Sequence, residues 1–270
     1  MPTGLLGVAL ITGASRGIGR AIAIALAEAG YAVAITARTV TEAEAEASGG
    51  VGGSLEGTAA VIRSHGTDVL PLRLNLLDRD ALAPTVDAVI ARWGRLDVLV
   101  NNAIYVGPEN DRRFVDVDPT ELERRIFADL TAQLLLTHRA VPAMLAHGGG
   151  TIVNVTSGVA TTNPTSPVDK GGWALGYGCA KGGLHRAAGI LACELGAEGI
   201  RSYNVQPGMV ATERVRAAPS MRHIADKGKE PSVVGAAVVW LLAQTEGAMA
   251  NGRTLVVDDV MHLLPSDKAG

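Results

Sequence analysis

The chain has 270 residues, 47% of them apolar and 19% charged, and its 24 basic and 27 acidic side chains leave a formal charge of −3. That composition excludes a disordered chain and is large enough for one big domain or two small ones. Aromatic residues are only 3%, so there is neither a base-stacking surface nor a basic footprint for nucleic acid.

Two cysteines, Cys179 and Cys193, make no disulfide framework. On one helix they would stand roughly 21 Å apart, beyond bonding reach, which points to a reducing compartment. Residues 1–7 carry neither a basic region nor a cleavage-like site, and no apolar run reaches the roughly 18 residues of a membrane span. The expectation is a soluble cytoplasmic protein.

In chain order, a strand is predicted at 6–11 and a helix at 20–29, closed by Gly30. A second strand follows at 32–36. Residues 41–54, rich in Gly, Glu and Ala, read as an exposed loop. A helix at 55–64, a strand at 69–74, a helix at 79–93 and a strand at 96–100 come next. Residues 119–145 form one long helix, expected to bend near Pro142. A strand at 151–155, a helix at 175–195, a strand at 200–205, a helix at 233–243 and a strand at 254–257 complete the pattern. The strands are continuous Val/Ile/Leu runs rather than alternating ones, as expected when helices cover both faces of a parallel sheet. The fold class is therefore α/β, a doubly wound (Rossmann) sheet of about seven strands. No linker or internal repeat divides the chain, so 1–270 is expected to be one domain.

The first strand leads into Thr12-Gly13-Ala14-Ser15-Arg16-Gly17-Ile18-Gly19. The glycines fall as G-x-x-x-G-x-G. They meet the needs of a dinucleotide site: a tight turn, close backbone approach to a pyrophosphate, and a helix packed close to the sheet. The N–H groups of the following helix would face the phosphates. NAD sites place an acid at the end of the second strand to bind the ribose 2′-hydroxyl. Here Ala37 and Arg38 occupy it, and Arg16 can form the other side of a clamp on a 2′-phosphate. NADP(H) is favoured over NAD(H) on that charge pairing.

Tyr177 and Lys181 are four apart on a predicted helix and share one face. An ammonium and an oxidised nicotinamide both favour phenolate, lowering the phenol from its usual value near ~10. Tyr177 could then donate a proton to a carbonyl or take one from an alcohol near neutral pH.

More segments join these in a fixed order: Asn75-Leu76 after the third strand, Asn101-Asn102-Ala103 after the fourth, Val153-Asn154-Val155-Thr156-Ser157, and Pro207-Gly208 with Thr212. The ordered set resembles the short-chain dehydrogenase/reductase superfamily over nearly the whole chain. The resemblance implies that Tyr177 is the general acid/base and that Lys181 holds the nicotinamide ribose and lowers the Tyr177 pKa. Ser157 would hydrogen-bond the reacting oxygen. It implies a cofactor site of Gly13, Ser15, Arg16, Gly17, Ile18, Gly19, Arg38, Asn75, Leu76, Asn102, Ala103, Tyr177, Lys181, Pro207, Gly208 and Thr212, with the hydride carried by nicotinamide.

Some positions depart from the family. Asp129 stands where the family has the Asn of its proton relay, and the expectation is that the relay survives with a changed pH profile. Ile104 follows Asn-Asn-Ala where the family has Gly. A β-branched residue resists positive φ, so that turn should differ. Tyr203 precedes Asn204 where Asn is usual, and Asp258-Asp259 replaces the usual Asp-Gly or Asn-Gly.

Nineteen residues separate Ser157 from Tyr177, so 163–173 reads as an enlarged loop at the pocket mouth. Tyr105, Trp173 and Met209 are candidate substrate-lining residues, and residues 209–230 a lid. The lid's Arg214, Arg216, Arg222, Lys227 and Lys229 are offset by Glu213, Asp226 and Glu230. The reading is an NADP(H)-dependent carbonyl reductase or alcohol dehydrogenase acting on a small molecule, with no metal, and dimeric or tetrameric through its long helices. Two alternatives stand beside it: a nucleotide-sensing scaffold whose catalysis has lapsed, and a dehydratase or epimerase on the same fold. No G-x-S-x-G segment supports a hydrolase, and the six His are scattered without ligand spacing.

Overall fold

The computed structural model describes residues 5–47, 51–107, 112–244 and 249–264. Residues 1–4 of the N-terminus and 48–50 of the 41–54 segment lie outside them. Seven strands form a parallel sheet: β1 Gly7–Thr12, β2 Tyr31–Ala37, β3 Val69–Arg73, β4 Val98–Asn101, β5 Gly150–Val155, β6 Ile200–Gln206 and β7 Thr254–Val256. Their order is β3-β2-β1-β4-β5-β6-β7. The order reverses between β1 and β4, and a doubly wound sheet opens its ligand crevice at such a point, beyond the carboxyl ends of the strands.

The connecting helices are α1 Gly17–Glu28, α2 Glu42–Ala47, α3 Leu55–Ser64, α4 Arg79–Trp93, α5 Pro119–Ile126, α6 Ala132–Leu145, α7 Leu175–Leu195, α8 Glu213–Ala217, α9 Arg222–Lys227, α10 Pro231–Ala243 and α11 Val257–Val260. Alternate strand residues feed two cores on opposite faces. Ala9 and Ile11 of β1 pack with α1, α3 and α10 through Ile22, Leu26, Ile62 and Val238. Val8 and Leu10 pack with α4 and α6 through Leu82, Val86, Leu136 and Met144.

Three elements differ from the sequence reading. First, α1 begins at Gly17 rather than 20, because Gly17 and Gly19 form its first turn. Second, 41–54 is not an exposed loop. It holds α2, whose Ala45 is buried, and its last residue Ser54 is buried and caps α3 by accepting the Gly57 N–H at 2.9 Å. The Thr58 hydroxyl bonds the Ala14 carbonyl at 2.9 Å, anchoring α3 beneath the glycine turn. Polar composition hid this packing because the contacts are made by caps and backbone. Third, 119–145 is interrupted at Phe127–Thr131, where one π turn separates α5 from α6. Pro142 lies inside α6. Single π turns inside helices are frequent at functional sites, and this one carries Asp129.

No helix among the described residues is long and apolar enough to cross a membrane.

Candidate active site

The crevice is built from strand ends. Where β1 ends, the Thr12 hydroxyl donates to the Val100 carbonyl at 3.2 Å and accepts the N–H groups of Asn102 and Ala103, both at 2.9 Å. The Asn102 amide donates to the carbonyls of Thr12 at 2.7 Å and Gly13 at 3.3 Å. Asn102 thereby fills the space that side chains at 13 and 19 would need. A Cβ on Gly13, whose φ is +71°, would sit 2.8 Å from the Ala103 backbone, and one on Gly19 would strike the Asn102 amide and the Gly13 carbonyl. Gly13 and Gly19 are thus required by the close packing of turn, helix and β4, and Gly17 by its φ of +57°.

The N-terminus of α1 already holds an anion. Glu213, the first residue of α8, accepts the Gly17 N–H through its Oε2 at 2.9 Å. Its carboxylate stands in for the phosphate that such a helix end binds. With the glycine cradle, a helix N-terminus that holds a carboxylate has the donor chemistry a phosphate group would need.

At the ribose end, the Arg16 guanidinium donates to the Gly53 carbonyl at 3.1 Å and to the Thr39 hydroxyl at 3.5 Å. Burial pulls its pKa down, the Glu213 carboxylate opposes that, Arg38 adds to it and Glu42 opposes it. Arg16 and Arg38 therefore share one neighbourhood, as a 2′-phosphate clamp requires. The sequence reading missed the acids that α2 brings there. Glu42 accepts the Ser54 hydroxyl at 2.5 Å, and Glu44 accepts an Arg73 N–H at 2.5 Å and is held down to about 2, chiefly by that bond. Arg73 also donates to the Arg38 carbonyl at 2.8 Å. Asn75 is exposed and its amide oxygen accepts the Leu77 N–H, whereas Leu76 is buried in the core.

At the other end of the crevice stand Ser157, just beyond β5, and Tyr177 and Lys181 on α7. Tyr177 is half-buried and Lys181 buried. Burial pushes the Tyr177 phenol above its ordinary value; the Ser157 hydroxyl beside it favours the phenolate, the Asp129 carboxylate disfavours it, and the Arg125 guanidinium favours it. The expected lowering of the phenol is thus not produced by the chain's own residues, because desolvation outweighs the Ser157 hydrogen bond and the Arg125 charge. Burial pulls Lys181 down to about 8, with Asp129 opposing and Arg125 adding. Its amine donates to the Val155 carbonyl at 2.6 Å, tying α7 to the end of β5 just before Ser157.

Asp129 reaches this group from the π turn. It is 1% exposed, and burial pushes its carboxyl up against the pull of Arg125, the Tyr105 N–H and Lys181. One oxygen accepts the Tyr105 N–H and the other pairs with Arg125 at 2.8 Å. Arg125 was not anticipated, although Arg-x-x-x-Asp on a predicted helix is an i,i+4 ion-pair signal.

The substrate candidates part company. Tyr105 faces the site over the Arg125 guanidinium, 5.3 Å from its ring centre, and its hydroxyl donates to Glu121 at 2.7 Å. Trp173 lies against the Gly178 position on the first turns of α7. Met209 lines a separate hollow of about 320 Å3 with Lys227, Gly228, Lys229, Asp258 and Met261. There Lys229 pairs with Asp258 at 2.7 Å and donates to the Pro207 carbonyl at 2.7 Å, which braces the Pro207-Gly208 turn. This accounts for an acid at 258. The Thr212 hydroxyl caps α8 by accepting the Val215 N–H at 3.3 Å. Ile104 is exposed, and no non-glycine among the described residues has a positive φ, so its turn is made without the strain a β-branched residue would resist.

Comparison with known proteins agrees with this architecture. The family model for short chain dehydrogenases matches residues 7–223. The chain belongs to the short-chain dehydrogenase/reductase family. It is 30% identical to the 3-oxoacyl-acyl-carrier-protein reductase of Vibrio harveyi, covering 95% of this chain and 98% of that one. It is 31% identical to the D-threitol dehydrogenase of Mycolicibacterium smegmatis, covering 93% and 91%. Among solved structures, the acetoin dehydrogenase YohF of Salmonella typhimurium superposes with a TM-score of 0.74 at 27% identity, over 97% of this chain and 98% of that one. As a short-chain dehydrogenase/reductase, the chain belongs to a class of oxidoreductases that work with nicotinamide cofactors. These three relatives are named for an acyl thioester, a polyol and a hydroxyketone, so the family fixes the chemistry and leaves the substrate open.

Proposed function

We propose that this protein is an NADP(H)-dependent oxidoreductase that interconverts a carbonyl and a secondary alcohol on a small molecule, with Tyr177 as general acid/base. The observation that carries the reading is the grouping of Ser157, Tyr177 and buried Lys181 at the end of β5, in the same crevice as an anion-holding glycine turn. The bound dinucleotide would supply or accept the hydride. In reduction, the Tyr177 phenol donates its proton to the substrate oxygen, and the Ser157 hydroxyl donates a hydrogen bond to the same oxygen as charge develops on it. In oxidation the proton returns along the same path. A raised phenol stays protonated at neutral pH and so carries the proton that reduction consumes, but it is a weaker acid than an unperturbed one.

The preference for NADP(H) rests on Arg16 and Arg38, with Glu42 as the opposing charge. The lid reading of 209–230 is supported by the Glu213 contact with Gly17 and by paired lid ends: the Ala211 N–H donates to the Lys229 carbonyl at 2.9 Å and the Lys229 N–H to the Met209 carbonyl at 3.0 Å. Exposed Leu134 on α6 and Leu175 and Ile190 on α7 are consistent with a homodimer or homotetramer, with the chain acting as one domain. The deciding experiment measures NADPH and NADH binding and turnover across ketones, hydroxyketones, polyols and acyl thioesters, with Tyr177→Phe as control. Tighter NADPH binding, lost in Arg38→Ala, and turnover abolished in Tyr177→Phe are expected. Tight NADPH binding with no turnover on any class would instead support a scaffold.

A further inference from the structure

The buried guanidinium of Arg125 is not used by the acid/base scheme, yet it touches most of its parts. It is 1% exposed. It donates to Asp129 at 2.8 Å and to the Tyr105 carbonyl, and it lies 5.3 Å from the Tyr105 ring centre and 5.9 Å from that of Tyr177. Its stem fits because residue 176 is glycine: a Cβ there would come within 3.1 Å of Arg125 Cγ and 3.0 Å of Leu122 Cδ1. The residue before Tyr177 thus leaves α7 open to α5 at the point where the guanidinium lies beside the phenol.

We propose that Arg125 is a positioning residue and counter-charge for the acid/base site, which allows a carboxylate at Asp129 by setting a cation against the Tyr177 ring and fixing the Tyr105 turn. The proposal rests on the reading of Tyr177 given above and deepens it. A buried carboxylate near a phenol disfavours phenolate, and an unpaired one would be costly. Arg125 addresses both, since it neutralises Asp129 and acts on Tyr177 with the opposite sign. Lys181 is buried in the same group, but its amine is bonded to the Val155 carbonyl. The groups acting on Tyr177 are therefore Ser157 after β5, Asp129 from the π turn and Arg125 from α5, with Lys181 four residues further along α7. Tyr105 stands beyond the guanidinium from the loop after β4, its hydroxyl held by Glu121.

The test titrates Tyr177 directly. Phenolate absorbance against pH is recorded for each variant, and the curve of the same variant carrying Tyr177→Phe is subtracted from it, so no turnover is needed. Arg125→Gln keeps hydrogen-bonding capacity but loses the charge, and is expected to raise the phenol by about one pH unit, a tenfold fall in phenolate fraction. Arg125→Lys should restore most of it, and Asp129→Asn should shift the phenol the other way. Because Arg125→Gln leaves Asp129 without its cation, the double variant Arg125→Gln/Asp129→Asn, which removes both partners of the ion pair together, serves as the second measurement. Relative to Asp129→Asn it should show the same upward shift. Unchanged titration in folded variants, equal shifts for Arg125→Gln and Arg125→Lys, or single variants moving together would overturn the proposal. Retained turnover in Tyr177→Phe would sink the acid/base reading while leaving the titration to judge Arg125.

Discussion

Lys181→Met tests the energetics of the site in a form that does not depend on knowing the substrate. The amine falls from 10.5 to about 8 because burial disfavours its charge. That fall corresponds to about 3 kcal/mol against the ammonium in the folded state. Methionine fills similar space without a charge but gives up the 2.6 Å bond to the Val155 carbonyl, worth about 1–2 kcal/mol. Near pH 7 the variant should therefore be more stable than the parent by about 1–2 kcal/mol, while losing turnover and dinucleotide affinity. The sign with pH follows from proton counting. Between about 8 and 10.5 the folded chain has released the Lys181 proton while the unfolded chain keeps it. The parent's stability then rises by about 1.4 kcal/mol per pH unit over that window, and the variant lacks this rise. Urea unfolding of both proteins at several pH values from about 7 to 10 reads the difference, and tyrosines common to both cancel. The advantage of Lys181→Met should shrink and then reverse as pH rises. A gap that stays constant across the window would refute the argument that Lys181 is held in the fold against a desolvation cost.

Two further variants probe features that the fold adds to the site. Glu213→Gln removes the carboxylate seated on the Gly17 N–H, and dinucleotide affinity should improve about two- to five-fold, the range of a helix-terminus charge; fluorescence titration with weaker or unchanged binding would show that Glu213 does not compete for the turn. Ser54→Ala removes both the cap on Gly57 and the bond to Glu42, and should cost about 1–2 kcal/mol, read by thermal and urea unfolding; a change of only a few tenths would mean that 41–54 contributes little to the packing around the glycine turn.

The sheet was legible because its strands are buried on both faces and read as continuous apolar runs, and all seven fall where those runs occur. The glycine turn, Ser157, Tyr177 and Lys181 were legible because their spacing is local. What was not legible depended on polar contacts between segments distant in the chain. Glu213 meets Gly17 across 196 residues, and Lys229 meets Asp258 across a helix and a strand. The α2 region was misread because its Glu/Ala/Gly composition resembles a solvated loop, whereas Ala45 and Ser54 anchor it inside. Pro142 drew attention as the expected break in the long helix, but the backbone departs from α geometry at Phe127–Thr131, where nothing in residue propensity marks a π turn. The turn coincides with a tertiary contact: Asp129 holds the Tyr105 N–H while pairing with Arg125 four residues earlier.

A common charge arrangement runs along the crevice. Asp129 pairs with Arg125 at the acid/base end, Glu213 occupies the helix N-terminus at the phosphate end, Glu42 faces Arg16 at the ribose end, and Asp258 pairs with Lys229 behind the Pro207-Gly208 turn. Arg125, the α1 N-terminus, Arg16 and Lys229 each thus have a carboxylate from a neighbouring segment. Such pairing limits the repulsion and desolvation that clustered cations would otherwise impose on the fold. On the proposed reading, an incoming phosphate at the α1 N-terminus would exchange partners with Glu213 rather than meet a free helix end. Glu213 belongs to a five-residue helix in the lid segment, whereas Glu42 is tied to buried Ser54. On the proposed reading, a pyrophosphate would displace its stand-in by moving a short surface element, while Glu42 would stay in place and Arg38 would set any preference for a 2′-phosphate.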